Sequence, residues 1–278
     1  MPALTFSKWS SGGNTTLFLH DAGASPRTLA AWARAALDPD VLGAEQAGTV
    51  SLAARSLRMA GGEFCVNASR AFGALLALGA PPAVGEWRGD IRVSGWEGPV
   101  GLTVHGAEPR WKVSARLEIP PDARPRTHAG GRLVRLPGIS HLLLPLEESA
   151  QPGDDAPDPL ARARAALSSA GLLVEAAAGV IWWEPLPEGA RMVPVVHVRD
   201  AGTLVAESAC GSGALALALE LAESRGLEHC RLRQPSGSVL EVRLAAHGTD
   251  GRVSAEISGP VTLLARGRVW LDAADGAR

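Results

Sequence analysis

Two of the three cysteines in this 278-residue chain open apolar stretches of small residues. Cys65 stands in Gly61-Gly-Glu-Phe-Cys-Val-Asn-Ala-Ser-Arg70, and Cys210 in Glu207-Ser-Ala-Cys-Gly-Ser-Gly213. Each segment that follows, Asn67–Leu78 and Gly213–Ser224, is apolar around much of a helical wheel and so reads as a helix buried on most sides. Each cysteine therefore falls at a helix N-terminus, where free N–H groups and the helix dipole favour anions. A thiol placed there gains thiolate character. The small residues that follow let a ligand approach the backbone, and a helix start binds a carboxylate well. Two such thiols facing one carbon acid could remove a proton from one side and return one to the other, inverting that carbon. The charge developing on an adjacent carboxylate needs preorganised donors, and two helix N-termini supply them without a metal or pyridoxal phosphate. Cys230 follows His229 in a strand-like run, lacks this context and reads as core filler.

The elements that must position these groups recur in order along the chain. Short strand-like runs are broken by Gly, Pro and Asp: Leu4–Lys8, Thr15–His20, Ile91–Ser94, Val100–His105 and Trp111–Glu118 in the first half. Residues 119–126, rich in proline, read as a linker. Runs at Leu133–Leu136, His141–Leu146, Gly179–Glu184, Met192–Val198, Cys230–Gln234, Val239–Leu244, Arg252–Ile257 and Val261–Leu264 follow. Ser25-Pro26 and Asp158-Pro159 each present an N-cap and a proline at the first helical position, predicting helices over Arg27–Leu37 and Leu160–Ser169. A capped outer helix, a cysteine opening an apolar helix and a set of strands thus occur twice. The pattern predicts an α+β fold of two pseudo-symmetric lobes, 1–122 carrying Cys65 and 126–278 carrying Cys210, each with strands wrapped around a central helix and the site in the cleft between them.

Composition removes several other classes. A formal net charge of −2 is not the footprint of a nucleic-acid binder. No apolar run reaches the roughly 18 residues of a membrane span, and the N-terminus shows no secretory pattern. An odd cysteine count in a long chain argues against a disulfide framework and for a reducing, cytoplasmic setting. No Cys-x-x-Cys or Cys/His cluster suggests a metal or redox site. Tyrosine is absent, so no tyrosine acid or base is available.

Together these residues resemble the diaminopimelate-epimerase-like superfamily of cofactor-independent racemases and epimerases. Cys65-Val-Asn-Ala-Ser-Arg70 is similar to the family's Cys-Gly-Asn-Gly-x-Arg, and Ala209-Cys-Gly-Ser-Gly213 to its Ala-Cys-Gly-Thr/Ser-Gly. Phe6-Ser-Lys-Trp-Ser-Ser-Gly-Gly-Asn14 resembles the opening Phe-x-Lys-x-x-x-x-Gly-Asn, and Pro137-Gly-Ile-Ser-His141 sits where the family has Gly-Asn-Pro-His. Four motifs in the family's order cover both halves. The resemblance implies that Cys65 and Cys210 are the two bases and that Asn14 and Asn67 contact a free amino acid. By the same resemblance, Gly211 and Ser212 lend N–H groups to its carboxylate, and His141 sits near a catalytic thiol and helps set its protonation. Glu207 would pair with the substrate ammonium or the second thiol. No cofactor or metal is implied, and homodimers are common in the fold.

Departures bear on the substrate. Val66 and Ala68 replace the family's glycines and narrow that side of the site. The diaminopimelate epimerases' Glu-Arg pair before the second cysteine is not in register, and their asparagine-rich segment before the first is replaced by Arg58-Met-Ala-Gly-Gly-Glu63. The run from Met59 through Ala68 looks more like the histidine racemases linked to opine-type metallophore biosynthesis. The expectation is therefore a racemase of one free amino acid, with histidine leading. Diaminopimelate epimerase is the alternative, and a non-catalytic amino-acid-binding protein of the same fold is a further one.

Overall fold

The structure, a computed structural model, describes residues 3–20, 23–80, 85–146, 158–247 and 251–271. Among them are sixteen strands and four helices, divided between two compact units. The chain passes between units inside strands β7 (Arg110–Ile119) and β16 (Arg252–Trp270), since Leu117–Ile257 form unit 2 and the described residues on either side form unit 1.

Unit 1 is a closed barrel. Its strands run β1 (Ala3–Ser11), β2 (Asn14–His20), β3 (Gln46–Ser51), β4 (Ser56–Met59), β5 (Glu86–Val93), β6 (Val100–Ala107), β7 and β16, and β1 pairs with β16 to complete the ring. Two pairings are parallel and so require crossovers. Helix α1 (Pro26–Ala36) joins β2 to β3, and α2 (Val66–Gly79) joins β4 to β5. Ser25 caps α1 by accepting from Thr28 N–H at 3.2 Å. One face of α1, through Leu29, Trp32 and Ala33, packs on Leu4, Leu17 and Ala47. Helix α2 is different: ten consecutive residues from Val66 to Leu75 are buried, and it packs against β1, β2, β5 and β6.

Unit 2 has the strand order β16, β15 (Val239–His247), β14 (His229–Arg233), β12 (Gly189–Val198), β11 (Ala177–Leu186), β10 (Ile139–Pro145), β9 (Gly131–Leu136) and β8 (Arg126–His128), with β13 (Thr203–Ala206) beside β12. Its parallel pairs are again spanned by helices. Helix α3 (Pro159–Ser169), capped by Asp158, joins β10 to β11, and α4 (Gly211–Arg225) lies between β12 and β14. Eleven consecutive residues of α4, Gly211 to Leu221, are buried. The single acid among them, Glu220, is tolerated because Arg132 Nε donates to it at 2.9 Å.

The helix expectations hold to within two residues at each end. Strands β3, β4, β8 and β13 have no counterpart among the strand-like runs of the sequence; they are short, and none carries the long alternation that marks a strand in sequence. Ser258-Gly-Pro260 reads as a break between two strands, yet β16 is continuous through it. Pro260 lies one position beyond the β1 register, which ends at Ser11 opposite Val261, so its missing N–H costs that ladder nothing. The β16 pairing with β1 also places residues 258–271 in unit 1, whereas the order of motifs groups them with the second half.

Candidate active site

The first cluster lies in unit 1. Strands β1 and β2 are joined by Gly12-Gly13, with φ of 67° and 106°, a two-residue turn that only residues free of a Cβ enter easily. The turn delivers Asn14, fully buried, at the start of β2. Its Nδ2 donates to Glu45 Oε2 at 3.1 Å, and its Oδ1 accepts from Gln46 Nε2 at 2.7 Å. Gln46 also donates to Thr16 Oγ1 at 2.8 Å, and its Oε1 accepts from the Cys65 thiol at 3.2 Å. A chain of hydrogen bonds thus runs from Glu45 through Asn14 and Gln46 to Cys65.

Cys65 is the N-cap of α2, with φ −131° and ψ 108°, and its Sγ accepts from Ala68 N–H at 3.3 Å. The residue is half-buried. Val66 and Asn67 form the first turn, both buried. Asn67 is tied at its carbonyl by Ser11 Oγ at 2.9 Å and at its Oδ1 by Arg70 Nη2 at 2.9 Å. Arg70 is 0% exposed, and its Nε and Nη1 have no hydrogen-bond partner. Burial pulls its guanidinium down to about 10, against the opposing pull of Cys65. Glu63, two residues before the cysteine, is pushed up by burial, its own and Gly61's backbone opposing.

The second cluster lies in unit 2. Cys210 is the N-cap of α4, with φ −126° and ψ 109°, and its Sγ accepts from Gly213 N–H at 3.3 Å. Its own N–H donates to Gln234 Oε1 at 2.9 Å, which fixes the cap from β14's side. A Cβ on Gly213 would meet Ile181 Cδ1 at 2.6 Å and the Cys210 sulfur at 3.1 Å, so a side chain here would crowd the thiol. Cys210 is only 2% exposed. Burial pushes its thiol up strongly; the charge of Glu207 and a hydrogen bond to that carboxylate push the same way, while Gly213 N–H and Ser212 oppose.

His141 is delivered by the Pro137-Gly138 turn, where Gly138 has φ of 76°, to the third position of β10. It is fully buried, and its Nε2 lies 2.9 Å from Ser212 Oγ, which in turn lies 3.7 Å from Cys210 Sγ. Burial pulls its imidazole down to about 3, so the ring is neutral near pH 7. Space for it comes from Gly179, where a Cβ would meet His141 Nδ1 at 2.6 Å. Gly211 and Ser212 form the first turn of α4. The structure thus gathers Asn14, Cys65, Val66 and Asn67 in one cluster and His141, Glu207, Cys210, Gly211 and Ser212 in another.

Gln46, Gln234 and Gly179 gave no signal in the sequence, because a lone amide or glycine at a strand carries no spacing. Arg70 stood in the first motif without a role. Cys230 is a core residue as expected: it is fully buried and donates to Leu227 carbonyl at 3.3 Å. His197, bonded to the Thr203 carbonyl, lies outside both clusters. Among the described residues no three His, Cys, Asp or Glu side chains could together hold a metal ion, and no helix is long and apolar enough to cross a membrane.

The family model of the histidine racemase CntK N-terminal domain matches residues 3–270. The chain belongs to that family. It is therefore an isomerase, an amino-acid racemase. A histidine racemase of Fusobacterium nucleatum subsp. nucleatum is 26% identical over 273 residues, 96% of this chain and 97% of the relative. Among solved structures, a hydroxyproline epimerase from Agrobacterium vitis with bound trans-4-hydroxy-L-proline superposes with a TM-score of 0.63, at 15% identity, over 99% of this chain and 94% of its own. A predicted epimerase from Pseudomonas aeruginosa gives 0.64 at 19% identity over 97% of this chain and 100% of its own. These two share the fold.

Proposed function

We propose that the chain racemises free histidine by exchanging a proton at its α-carbon between two thiols, Cys65 and Cys210, one on each face. The observation that carries this is the equivalence of the two cysteines: each caps a buried helix with the same backbone angles and the same bond to the N–H three residues on. Each thiol uses that third N–H, while the earlier N–H groups of the turn have no intrahelical acceptor. In this reading those of Gly211 and Ser212, with those opening α2, receive the substrate carboxylate. They stabilise the charge that grows there as the α-proton leaves. Asn14 and Asn67 hold the amino acid, and Val66 limits the space beside it.

The roles of the two thiols follow from their surroundings. Burial and, after it, Glu207 keep Cys210 protonated, so it serves as the acid when Cys65 is the base. The reverse direction exchanges the roles. His141, neutral and bonded to Ser212, orients that hydroxyl toward Cys210 rather than carrying a charge. The repeated order of outer helix, cysteine and buried helix supports two thiols of equivalent role. Three free cysteines suit a reducing, cytoplasmic setting. Histidine is favoured by the name of the relative from Fusobacterium nucleatum and by the resemblance of the run from Met59 through Ala68 to histidine racemases.

The substrate is tested by incubating the purified chain with each L-amino acid and with LL-diaminopimelate and following optical rotation. Loss of rotation with histidine is expected. No change with any amino acid overturns the reading, and activity on diaminopimelate alone makes the chain an epimerase of that compound.

A further inference from the structure

We infer that Arg70 is a positioning residue for Cys65: its buried guanidinium is the fixed counter-charge of a Cys65 thiolate and holds the Asn67 carboxamide in one orientation. The inference deepens the two-thiol reading above and assigns which thiol rests without its proton.

The starting observation is an unbalanced cation. Arg70 is wholly buried, yet only one of its three nitrogens has a hydrogen-bond partner, and that partner, Asn67, is neutral. A buried charge without a counter-charge is costly, and such groups are found paired. Among the described residues no carboxylate bridges Arg70, and the charge that acts on it is that of Cys65. An arginine keeps its proton across the physiological range even when burial opposes it. With Cys65 as a thiol the site holds a bare cation; with Cys65 as a thiolate the pair is neutral.

Helix geometry accounts for the reach. Arg70 is five residues past the cap, but side chains on a helix lean back toward its N-terminus. Its guanidinium accordingly meets Asn67, three residues earlier, in the first turn. By occupying Asn67 Oδ1 it also decides which end of that amide lies elsewhere, and so sets the face Asn67 presents to a ligand.

The second unit shows the contrast. The residue five past Cys210 is Leu215, buried and apolar, and the group at that thiol is the carboxylate of Glu207. One thiol is given a cation and the other an anion. At rest this makes Cys65 the thiolate and Cys210 the thiol.

Other groups also lie around Cys65. Gln46 Oε1 accepts from the thiol and so favours the protonated form, but it is a dipole and not a charge. Glu45 is linked to Cys65 through Asn14 and Gln46. Glu63 is shifted by burial toward its neutral form. The Lys8 ammonium is bonded to the Leu42 carbonyl. Ala68 N–H, at 3.3 Å, adds to the pull of Arg70.

The test is the pH dependence of Cys65 alkylation by iodoacetamide, read by peptide mass spectrometry on the full chain, in wild type, Arg70→Gln and Arg70→Lys. In wild type the midpoint should lie below the roughly 8.5 of an ordinary thiol. Arg70→Gln should raise it by about one unit or more, and Arg70→Lys, which keeps the charge, should recover most of that shift. A wild-type midpoint at or above an ordinary thiol's, or an Arg70→Gln profile coincident with wild type, overturns the inference. If neither variant folds, the wild-type midpoint decides alone. A low Cys65 midpoint in a chain that racemises no amino acid would defeat the racemase reading and leave this one standing.

Discussion

Cys65 and Cys210 share one backbone conformation, φ/ψ of −131°/108° and −126°/109°, and each sulfur sits 3.3 Å from the N–H three residues further on. Their surroundings differ: Cys65 donates to the amide oxygen of Gln46, whereas burial and the Glu207 carboxylate raise the Cys210 thiol. Equal backbone with unequal electrostatics is the arrangement an acid and a base need. The cap geometry brings each thiol to the same kind of place, and the neighbours give each a different proton affinity.

Replacement of either cysteine follows from this. Cys65→Ser and Cys210→Ser should each lower the racemisation rate by about 100-fold to 10,000-fold, since a hydroxyl is a far weaker acid and its anion is unavailable near neutrality. Serine caps helices well, so both variants should stay folded. Cys230→Ser should leave the rate within about twofold, as that side chain packs in the core away from both clusters. Chiral chromatography of the product gives all three rates, and a damaging Cys230 change with a silent Cys65 change would reverse the assignment.

Gln46 links the Cys65 thiol to Asn14 and Thr16. Gln46→Leu leaves the Asn14 carbonyl oxygen without its short bond and removes the link between Asn14 and Cys65. A buried polar group that loses its partner costs about 1–3 kcal/mol. The racemisation rate should drop by about tenfold or more, with the melting temperature also reduced. Unchanged kinetics in a folded variant would remove Gln46 from the site.

Glu207→Gln should move the pH–rate profile in a stated direction. The carboxylate raises the Cys210 thiol through its charge and its hydrogen bond. Without it the thiol loses its proton at lower pH, so the alkaline fall of the rate begins earlier while the acid limb stays in place. A profile with its alkaline limb unmoved would show that Glu207 does not govern Cys210.

Much of this was legible in the chain, and the parts that were not share a reason. The four helices announce themselves through Ser25, Asp158 and the two apolar stretches after the cysteines. The site cysteines, Asn14, Asn67, His141 and Glu207 sit in motifs. Gln46 and Gln234 could not be found, because their meaning comes from where tertiary structure carries a strand end. Gly179 is visible only once His141 is seen against it. The short strands β4 and β13 have four residues each, too few for a period to show. The continuity of β16 through Pro260 depends on its register with β1, a long-range fact.

His141 gives a stability prediction. Its imidazole is held down to about 3 in the folded chain, against 6.5 when unfolded. Between those values the unfolded chain binds the extra proton, so stability falls as pH falls below about 6.5. The loss by pH 5 should be about 2 kcal/mol. His20 and Glu63 titrate as well, so the informative quantity is the difference between wild type and His141→Gln in urea unfolding. The variant should lack this part of the acid sensitivity, and parallel curves would mean the ring is not held neutral.

The most direct test of two thiols acting on opposite faces is where deuterium goes when L-histidine is racemised in deuterated water. At early conversion the D-histidine formed should carry deuterium at its α-carbon, while the L-histidine that remains should carry almost none, because the proton is taken by Cys65 or Cys210 and a solvent-derived one is given by the other. Deuterium appearing equally in both enantiomers, or D-histidine retaining the original proton, would mean a single base and would contradict the account.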